Sequence, residues 1–392
     1  MKNKMRLGDI ATLITKGTTP TSVGYTFTDT GVNFVKIESI REDGTFIPDK
    51  FAHISDECNT KLKRSQLQEN DILFSIAGAI GRTAIVTKDC LPANTNQALA
   101  IIRIPQGVID YRFLLYALQS DAIIEQAEKQ KQGVAQLNLS LQNINDFEIP
   151  FFTEEEQLTV VEVLSSVDSL LSTRIAQLEQ LDELVKSRFI ELFGERLEKE
   201  TVKLSTLTEV ITKGTTPTTL GFEFTESGVN FVKIECITED GRFIVPKMLH
   251  ISDECNQKLK RSILQEGDVL FSIAGAIGRT AIVTKEILPA NTNQAVAIIR
   301  LQKDCGLNVK FLNQMLHSSL IEKQVNVKKA GVAQINLSLT DIGDFNIVVP
   351  PMEEQEQFAA FVEQTDKSKL AVQQSIAELE ELKKSLMQKY FG

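Results

Sequence analysis

The sequence predicts an α+β protein of two tandem domains, each followed by a long helix, with the two helices paired as an antiparallel coiled coil of pseudo-two-fold symmetry. Three observations predict this. The sequence consists of two similar copies. Each copy begins with short β-branched runs between turn residues and ends with a long uninterrupted helical pattern. We expect domain 1, helix 1, domain 2 and helix 2 at 1–150, 151–194, 195–350 and 351–392.

The duplication covers the whole chain. LFSIAGAIGRTAIVTK begins at Leu73 and returns unchanged at Leu270, an offset of 197 positions. After one extra residue in the second copy the offset becomes 198, so that GVAQLNLSL at Gly133 matches GVAQINLSL at Gly331. A repeat of this length is a domain, because solenoid repeats run only ~20 to 50 residues.

The first part of each copy predicts a compact α+β domain. Short apolar runs at 33–37, 72–76, 83–86 and 98–104 alternate with Gly, Pro, Asn and Asp, which is typical of strands and turns. Tyr111 to Lys129 predicts one helix, since its apolar residues fall on one side.

The last part of each copy predicts a helix with an apolar seam. Thr153 and Glu156 have capping-box spacing at the start of helix 1, and prolines precede helix 2. In helix 1 apolar residues recur every three or four positions, as in a coiled coil. In helix 2 the pattern is weaker, because Thr365 and Lys369 interrupt it before it resumes at Val372. The predicted pairing residues are Leu164, Val167, Leu171, Ile175, Leu178, Leu181, Ile376, Leu379, Leu382 and Leu386.

Antiparallel pairing of these helices would give the molecule a dyad. Two nearly identical domains would then lie at opposite ends in opposite orientations, which suits a ligand that is itself two-fold symmetric. Duplex DNA is such a ligand, because half-site spacing mirrors protein symmetry.

Composition limits the remaining classes of protein. The 392 residues carry a formal charge of -10, but the two helical segments hold almost all of it and leave the domains nearly neutral. Five cysteines form no C-x-x-C pair, and no metal site is signalled. No run is long and apolar enough for a membrane span or a signal peptide, so we expect a cytoplasmic protein without membrane contact.

Several repeated blocks together resemble a known family. They are Gly-Thr-Thr-Pro at Gly17 and Gly214, GDVLFSIAGAIGRTAIV at Gly267 with its copy at Asn70, Asn-Thr-Asn-Gln at Asn94 and Asn291, and the lead-in GVAQINLSLTDIGDFNIVVPPMEEQ at Gly331. In this order the chain resembles the specificity (S) subunit of type I restriction-modification systems. The first copy departs from the pattern, because Phe151, Phe152 and Thr153 replace the prolines.

The resemblance implies a DNA-reading subunit without catalysis of its own. It implies double-stranded DNA and two methyltransferase (M) subunits as partners, with two restriction (R) subunits joining for cleavage. It also implies that S-adenosylmethionine is bound by the M subunits, which modify adenine N6, so that this chain holds no cofactor. Accordingly, no G-x-G-x-x-G or Walker loop occurs.

Because the two domains are nearly the same, we expect both to read the same half-site, which makes the bipartite target a palindrome. The alternative is a coiled-coil scaffold that binds proteins without DNA specificity. The charge of the chain favours that alternative slightly.

Candidate DNA contacts are polar groups that occur in both copies. Each also has a purely structural alternative. Lys-Gly-Thr-Thr-Pro could simply form a turn, and the basic clusters could be a solvated helix face. The strand lysines could snorkel to solvent, the arginines could pack against a carboxylate, and the amides could cap turns. The candidates are Lys16, Thr18, Thr19, Lys36, Lys61, Lys63, Arg64, Arg82, Asn96 and Gln97 in the first copy, and Lys213, Thr215, Thr216, Lys233, Lys258, Lys260, Arg261, Arg279, Asn293 and Gln294 in the second.

Overall fold

The computed structural model describes residues 4–129, 138–197, 199–329 and 336–392. The repeated Gly-Val-Ala-Gln blocks at Gly133 and Gly331 lie outside these ranges. The chain divides into unit 1, Met1–Ile175 with Gln374–Gly392, and unit 2, Ala176–Gln373. Each unit holds one domain, the first half of the helix that follows it and the last half of the other long helix.

The first copy contains nine of the strands found in the described residues. They are β1 (Lys4–Arg6), β2 (Leu13–Lys16), β3 (Val32–Val35), β4 (Ala52–Ile54), β5 (Ile72–Ser75), β6 (Thr83–Ile85), β7 (Ala93–Thr95), β8 (Leu99–Arg103) and β9 (Glu148–Pro150). Its helices are α1 (Leu7–Ile10), α2 (Asp56–Lys61), α3 (Tyr111–Gln119), α4 (Asp121–Lys129), α5 (Leu141–Asn145) and α6 (Glu154–Leu197).

The second copy repeats these elements in the same order. Its strands are β10 (Thr201–Lys203), β11 (Thr208–Lys213), β12 (Val229–Val232), β13 (Leu249–Ile251), β14 (Val269–Ser272), β15 (Thr280–Ile282), β16 (Ala290–Thr292), β17 (Val296–Leu301) and β18 (Asn346–Val348). Its helices are α7 (Asp253–Lys258), α8 (Val309–Leu316), α9 (Ser319–Lys329), α10 (Leu339–Gly343) and α11 (Met352–Phe391).

Unit 1 is built in layers around two larger sheets, with β1 and β9 forming a separate two-stranded sheet. The antiparallel sheet β2-β8-β5-β6 packs on the three-stranded sheet β4-β3-β7, in which β3 runs parallel to β7. Residues alternate between faces of a strand, so Ile72 and Phe74 face the helices while Leu73 faces the second sheet. Burial on both faces explains why the first three residues of β5, Ile72, Leu73 and Phe74, are all apolar.

The predicted helix from Tyr111 to Lys129 is two helices in the structure. Ser120 has an extended conformation between α3 and α4, and its hydroxyl donates to the carbonyl of Ala117 at 2.6 Å. Serine competes with helical backbone bonds in this way and favours helix ends. Periodicity alone could not reveal the break, because the apolar spacing continues across it.

The start of α6 has the capping box that the sequence predicts. Thr153 N donates to Glu156 Oε2 at 2.8 Å, and Glu156 N donates to Thr153 Oγ1 at 3.3 Å. Two backbone donors at the helix start are thereby satisfied.

In unit 1 the two long helices run antiparallel. Leu164, near the start of α6, lies in the same core as Phe391, the last residue of α11. Asp168, further along α6, pairs with Lys383, which is earlier in α11, at 2.6 Å. Positions therefore rise along one helix as they fall along the other.

Unit 2 shows the same antiparallel pairing between the other halves of the helices. Arg196 near the end of α6 binds Glu354 at the start of α11 with bonds of 2.6 and 3.1 Å. Asp182 pairs with Lys369 at 2.6 Å. The predicted α+β class with antiparallel long helices is confirmed.

The seam differs from the predicted set at two positions. Leu164 and Val167 are buried, and Leu171, Leu178, Leu181, Ile376, Leu379 and Leu386 are partly buried. Ile175 and Leu382 are half exposed instead. Within the described ranges, no helix is long and apolar enough to cross a membrane.

Candidate nucleic-acid interface

In unit 1 the Gly-Thr-Thr-Pro turn packs directly on the Asn-Thr-Asn-Gln segment. Thr18 N donates to the carbonyl of Thr95 at 3.2 Å. A Cβ at Gly17 would lie 1.9 Å from that carbonyl oxygen, so only glycine allows this approach. Two blocks that are almost eighty residues apart in sequence thus form one surface.

The side chains of Asn96 and Gln97 are oriented by contacts inside the domain. Asn96 Oδ1 accepts from Ala98 N at 3.1 Å, and Gln97 Oε1 accepts from the hydroxyl of Thr19. Their amide nitrogens have no hydrogen-bond partner among the described residues. Both side chains therefore present donors outward.

The basic cluster lies beside this surface. The turn Lys63–Ser65 lies against β2, and Ser65 Oγ donates to the buried Asn94 at 2.7 Å. Lys61, Lys63 and Arg64 are exposed, and in the described part of the chain none has a carboxylate within ion-pair distance. Such cations are free to neutralise phosphates.

Lys36 lies at the end of β3, next to the end of β7. Its Nζ is 4.6 Å from the centre of the Phe27 ring and 3.8 Å from Glu38 Oε1. Since β3 and β7 are parallel and Val35 pairs with Thr95, Lys36 and Asn96 emerge at the same sheet edge. The Lys36 ammonium therefore lies between an aromatic ring and a carboxylate.

Arg82 is used mainly inside the domain. Its Nη1 donates to the carbonyls of Ile37 and Ile40 at 3.4 and 3.1 Å, and Nη2 lies 3.8 Å from Glu42. The guanidinium thus supports the segment that follows Lys36, which is the packing alternative raised by the sequence.

These groups define a polar edge in unit 1, comprising Lys16–Thr19, Lys36–Glu38, Lys61–Arg64 and Asn94–Gln97. The antiparallel pairing of Lys16 with Ala100 places the end of β2 beside the turn that follows β7. Cations outnumber acids at this edge, where Glu38 is the one carboxylate. All the candidate residues of the first copy except Arg82 belong to it.

Unit 2 has an equivalent polar edge, comprising Lys213–Thr216, Lys233–Glu235, Lys258–Arg261 and Asn291–Gln294. A Cβ at Gly214 would lie 1.7 Å from the carbonyl oxygen of Thr292, and Thr216 donates to Gln294. Lys233 Nζ is 5.2 Å from the Phe224 ring, and Arg279 Nη1 donates to the carbonyl of Ile237 at 2.9 Å.

Glu38, Phe27 and their second-copy equivalents were not among the sequence-predicted site residues. The signal was present, because Phe-Val-Lys-Ile-Glu occurs unchanged in both copies. An exposed glutamate is nevertheless unremarkable until its neighbours are known. Among the described residues, no cluster of His, Cys, Asp and Glu could hold a metal ion.

Comparisons with known proteins agree with this architecture. The model of the type I restriction modification DNA specificity domain matches the chain twice, at residues 2–180 and 197–381. The EcoBI specificity subunit of Escherichia coli is 24% identical over 76% of this chain and 69% of its own length. The MjaIX specificity subunit of Methanocaldococcus jannaschii is 26% identical over 85% of this chain and 78% of its own length.

Two solved structures share the fold. A chain from a study of complex assembly and conformational transition in the type I restriction-modification system gives a TM-score of 0.59 at 18% identity, covering 99% of this chain and 97% of that one. The S subunit from M. genitalium gives 0.54 at 15% identity, covering 100% and 96%.

Proposed function

The chain belongs to the type I restriction modification DNA specificity family, and from this premise we propose how it selects a target: the two polar edges contact DNA, and partner subunits perform the chemistry. The observation that carries the proposal is the polar edge itself. In each unit, cations without carboxylate partners, hydroxyls and outward amide donors lie next to the contact between the Gly-Thr-Thr-Pro turn and the Asn-Thr-Asn-Gln segment. These are the groups that bind phosphates and base edges.

Within each edge we propose a division of roles. Lys16, Lys61, Lys63 and Arg64 neutralise phosphates, and the Thr18 hydroxyl supports the same contacts. The Thr19 hydroxyl donates to Gln97 and thereby orients the Gln97 amide. Asn96 and Gln97 offer donors to base or phosphate acceptors. Arg82 holds the segment behind Lys36. The equivalent residues of unit 2 take the same roles.

For the target, we propose an interrupted palindrome. The two domains are nearly identical in sequence, and the hydrogen bonds at the two edges match pair by pair, as with Thr19–Gln97 and Thr216–Gln294. Two surfaces with the same contact groups should recognise the same base sequence. The domain division proposed from sequence, at 1–150, 151–194, 195–350 and 351–392, gives one reading module before each helix.

As partners we propose two M subunits that bind the long helices, with two R subunits joining them. The helices support this because they are acidic and expose apolar side chains, such as Leu158 and Leu170 in unit 1 and Leu184 and Ile190 in unit 2. S-adenosylmethionine would be bound by the M subunits, which would methylate adenine N6 after flipping the base. This chain would carry no catalytic residue. A scaffold without DNA specificity is not favoured, because the family is one of DNA specificity domains.

Methylation mapping tests the proposal. We expect the source genome, or a plasmid exposed to the complex of this chain with its M subunits, to carry N6-methyladenine at one bipartite sequence whose halves are inverted repeats. Two unrelated half-sites would contradict the palindrome. Methylation without sequence preference would contradict the reading function.

A further inference from the structure

A carboxylate stands at each cationic polar edge. In unit 1 the side chain of Glu38 is 55% exposed, and in unit 2 that of Glu235 is 57% exposed. Their nearest cations, Lys36 and Lys233, are 3.8 and 3.6 Å away, which is beyond hydrogen-bond distance. No donor among the described residues contacts either carboxylate. All four oxygens therefore keep their capacity to accept hydrogen bonds.

A chain of contacts leads from the core to the lysine that faces each carboxylate. Phe34 is fully buried and holds Phe27 edge-on, with ring centres 5.3 Å apart. Phe27 in turn lies beneath the ammonium of Lys36, which faces Glu38. A cation over a ring is attracted to its face. The lysine is thus turned towards the carboxylate.

Unit 2 repeats this chain of contacts. The rings of Phe224 and Phe231 are 5.5 Å apart, and Lys233 lies 5.2 Å from the Phe224 ring. The position after the glutamate is Ser39 in one copy and Cys236 in the other, so the arrangement holds across a substitution next to it.

A carboxylate at a DNA interface has few favourable partners. Phosphates repel it, and leaving it buried without a donor is costly. The donors that DNA presents in the major groove are the amino groups of cytosine N4 and adenine N6. Glu38 is therefore suited to contact a base edge and unsuited to contact the backbone.

Asn96 complements this acceptor from the adjacent strand. Its oxygen is occupied by Ala98 N, and its amide nitrogen faces outward. Glu38 lies in the short turn of helix that follows β3, and Asn96 follows the neighbouring β7. An acceptor and a donor placed after adjacent strands suit the mixed pattern of base edges.

We propose that Glu38 and Glu235 are specificity-determining residues, an inference that rests on the proposed DNA-reading function. Each accepts a hydrogen bond from the amino group of a cytosine or adenine in its half-site. Lys36 and Lys233 are positioning residues that hold the carboxylates, rather than phosphate contacts.

The test compares charge removal at two places in the full chain assembled with its M subunits. Glu38→Gln with Glu235→Gln removes the acceptors, and Glu69→Gln with Glu266→Gln removes exposed charges at the opposite end of the four-stranded sheets. The probes are a fluorescent duplex carrying the mapped methylation sequence and the same duplex with both halves scrambled. The readout is the ratio of the two affinities.

We expect Glu38→Gln with Glu235→Gln to weaken target binding at least tenfold, while scrambled DNA binds equally or a few-fold tighter because repulsion is relieved. The control should leave the ratio unchanged. If the double variant alters both affinities by one common factor, the carboxylates read no base. If the unsubstituted complex shows no preference between duplexes, the proposed function fails instead.

A second pair of variants separates positioning from folding. Lys36→Met with Lys233→Met should lower the affinity ratio without changing the melting temperature. Lys36→Arg with Lys233→Arg should retain the ratio, because an arginine at this position keeps the charge and can also lie over the ring. A ratio that stays unchanged in the methionine variant would overturn the positioning role.

Discussion

At the scale of single residues, each domain contains an ion pair between a buried aspartate and a partly buried arginine. Asp71 is almost fully buried and receives two hydrogen bonds of 2.7 Å from Arg103. The hydrogen bond with Asp71 raises the pKa of the Arg103 guanidinium, so the arginine stays charged throughout the physiological pH range. Asp268 and Arg300 repeat the contact in unit 2.

Asp71→Ala should destabilise unit 1 by about 3–5 kcal/mol, because it leaves a partly buried arginine without its partner. Native-state hydrogen exchange of β5 and β8 measures the destabilisation. Asp268→Ala is the matched control, in which β14 and β17 should become less protected instead. If either substitution reduced protection equally in both units, the expectation that each ion pair stabilises its own domain would be wrong.

The exposed basic cluster should act through phosphates alone. Lys63→Gln and Arg64→Gln, combined with Lys260→Gln and Arg261→Gln, should weaken target and scrambled DNA by the same factor. The slope of log affinity against log salt should fall by about 0.9 for each phosphate that the variant no longer neutralises. Binding measured at several salt concentrations checks this.

The matched control is Lys88→Gln with Lys285→Gln, since both lysines are exposed at the opposite end of the sheet. It should leave the salt slope unchanged. An unchanged slope in the fourfold variant would place the cluster outside the interface.

At the scale of elements, the long helices complete cores that belong to the other copy of the repeat. In unit 1, Phe391 of α11 packs on Phe113 of α3, with ring centres 5.3 Å apart. In unit 2, Phe193 of α6 packs on Phe311 of α8 at 5.1 Å. Each phenylalanine precedes the glycine that closes its own repeat.

Polar contacts also join helix and domain in unit 1. Asp168 of α6 accepts from the hydroxyl of Tyr116 at 2.7 Å and pairs with Lys383 of α11. Burial, followed by this hydrogen bond, raises the pKa of the Tyr116 hydroxyl, which therefore stays a donor at any physiological pH. One carboxylate thus links the domain to both helices.

Phe391→Ala should destabilise the domain of the first copy, although the residue belongs to the second. The expected cost is about 3–5 kcal/mol, as for other buried phenylalanines. Hydrogen exchange should show reduced protection in α3, with α8 unaffected, and Phe193→Ala should give the reverse. If Phe391→Ala instead reduced protection in α8, which belongs to the same copy as Phe391, the packing of each long helix on the domain of the other copy would be contradicted.

At the scale of the whole molecule, each unit is assembled from parts of both copies. One copy alone contains a domain, the first half of a helix that packs on it and a last half that packs on the other domain. Because the copies are equivalent, a single copy carries both complementary surfaces. Identical copies of such a chain can close into a symmetric pair.

The shortened chain 1–197 should therefore form a homodimer, in which Phe193 takes the place of Phe391 against Phe113. Sedimentation equilibrium should give twice the mass of one shortened chain. Phe193→Ala should weaken that dimer at least tenfold. A stable monomer with an intact fold would contradict the prediction.

Much of the fold was predictable from sequence because its signals are local. The duplication, the three consecutive apolar residues that begin β5 and the helical periodicity after Val160 are all visible in the sequence. The break at Ser120 was missed, since one residue's backbone conformation leaves the periodicity unchanged. The exposure of Ile175 was also missed, because a seam residue is defined by its partner helix.

The polar edge was predictable only in part. Repetition pointed to Lys16, Asn96 and Lys63, but it pointed equally to Arg82, which the fold uses to bind its own carbonyls. Glu38 was passed over, because its significance depends on the cations around it.

By itself, the sequence determined that two like domains alternate with two long helices, since repetition and periodicity act over short distances along the chain. Only the tertiary structure decided which helix end completes which core. It also decided which repeated polar groups form hydrogen bonds within the domain and which stay exposed to a ligand. Those outcomes depend on contacts between residues far apart in sequence, which no local pattern encodes.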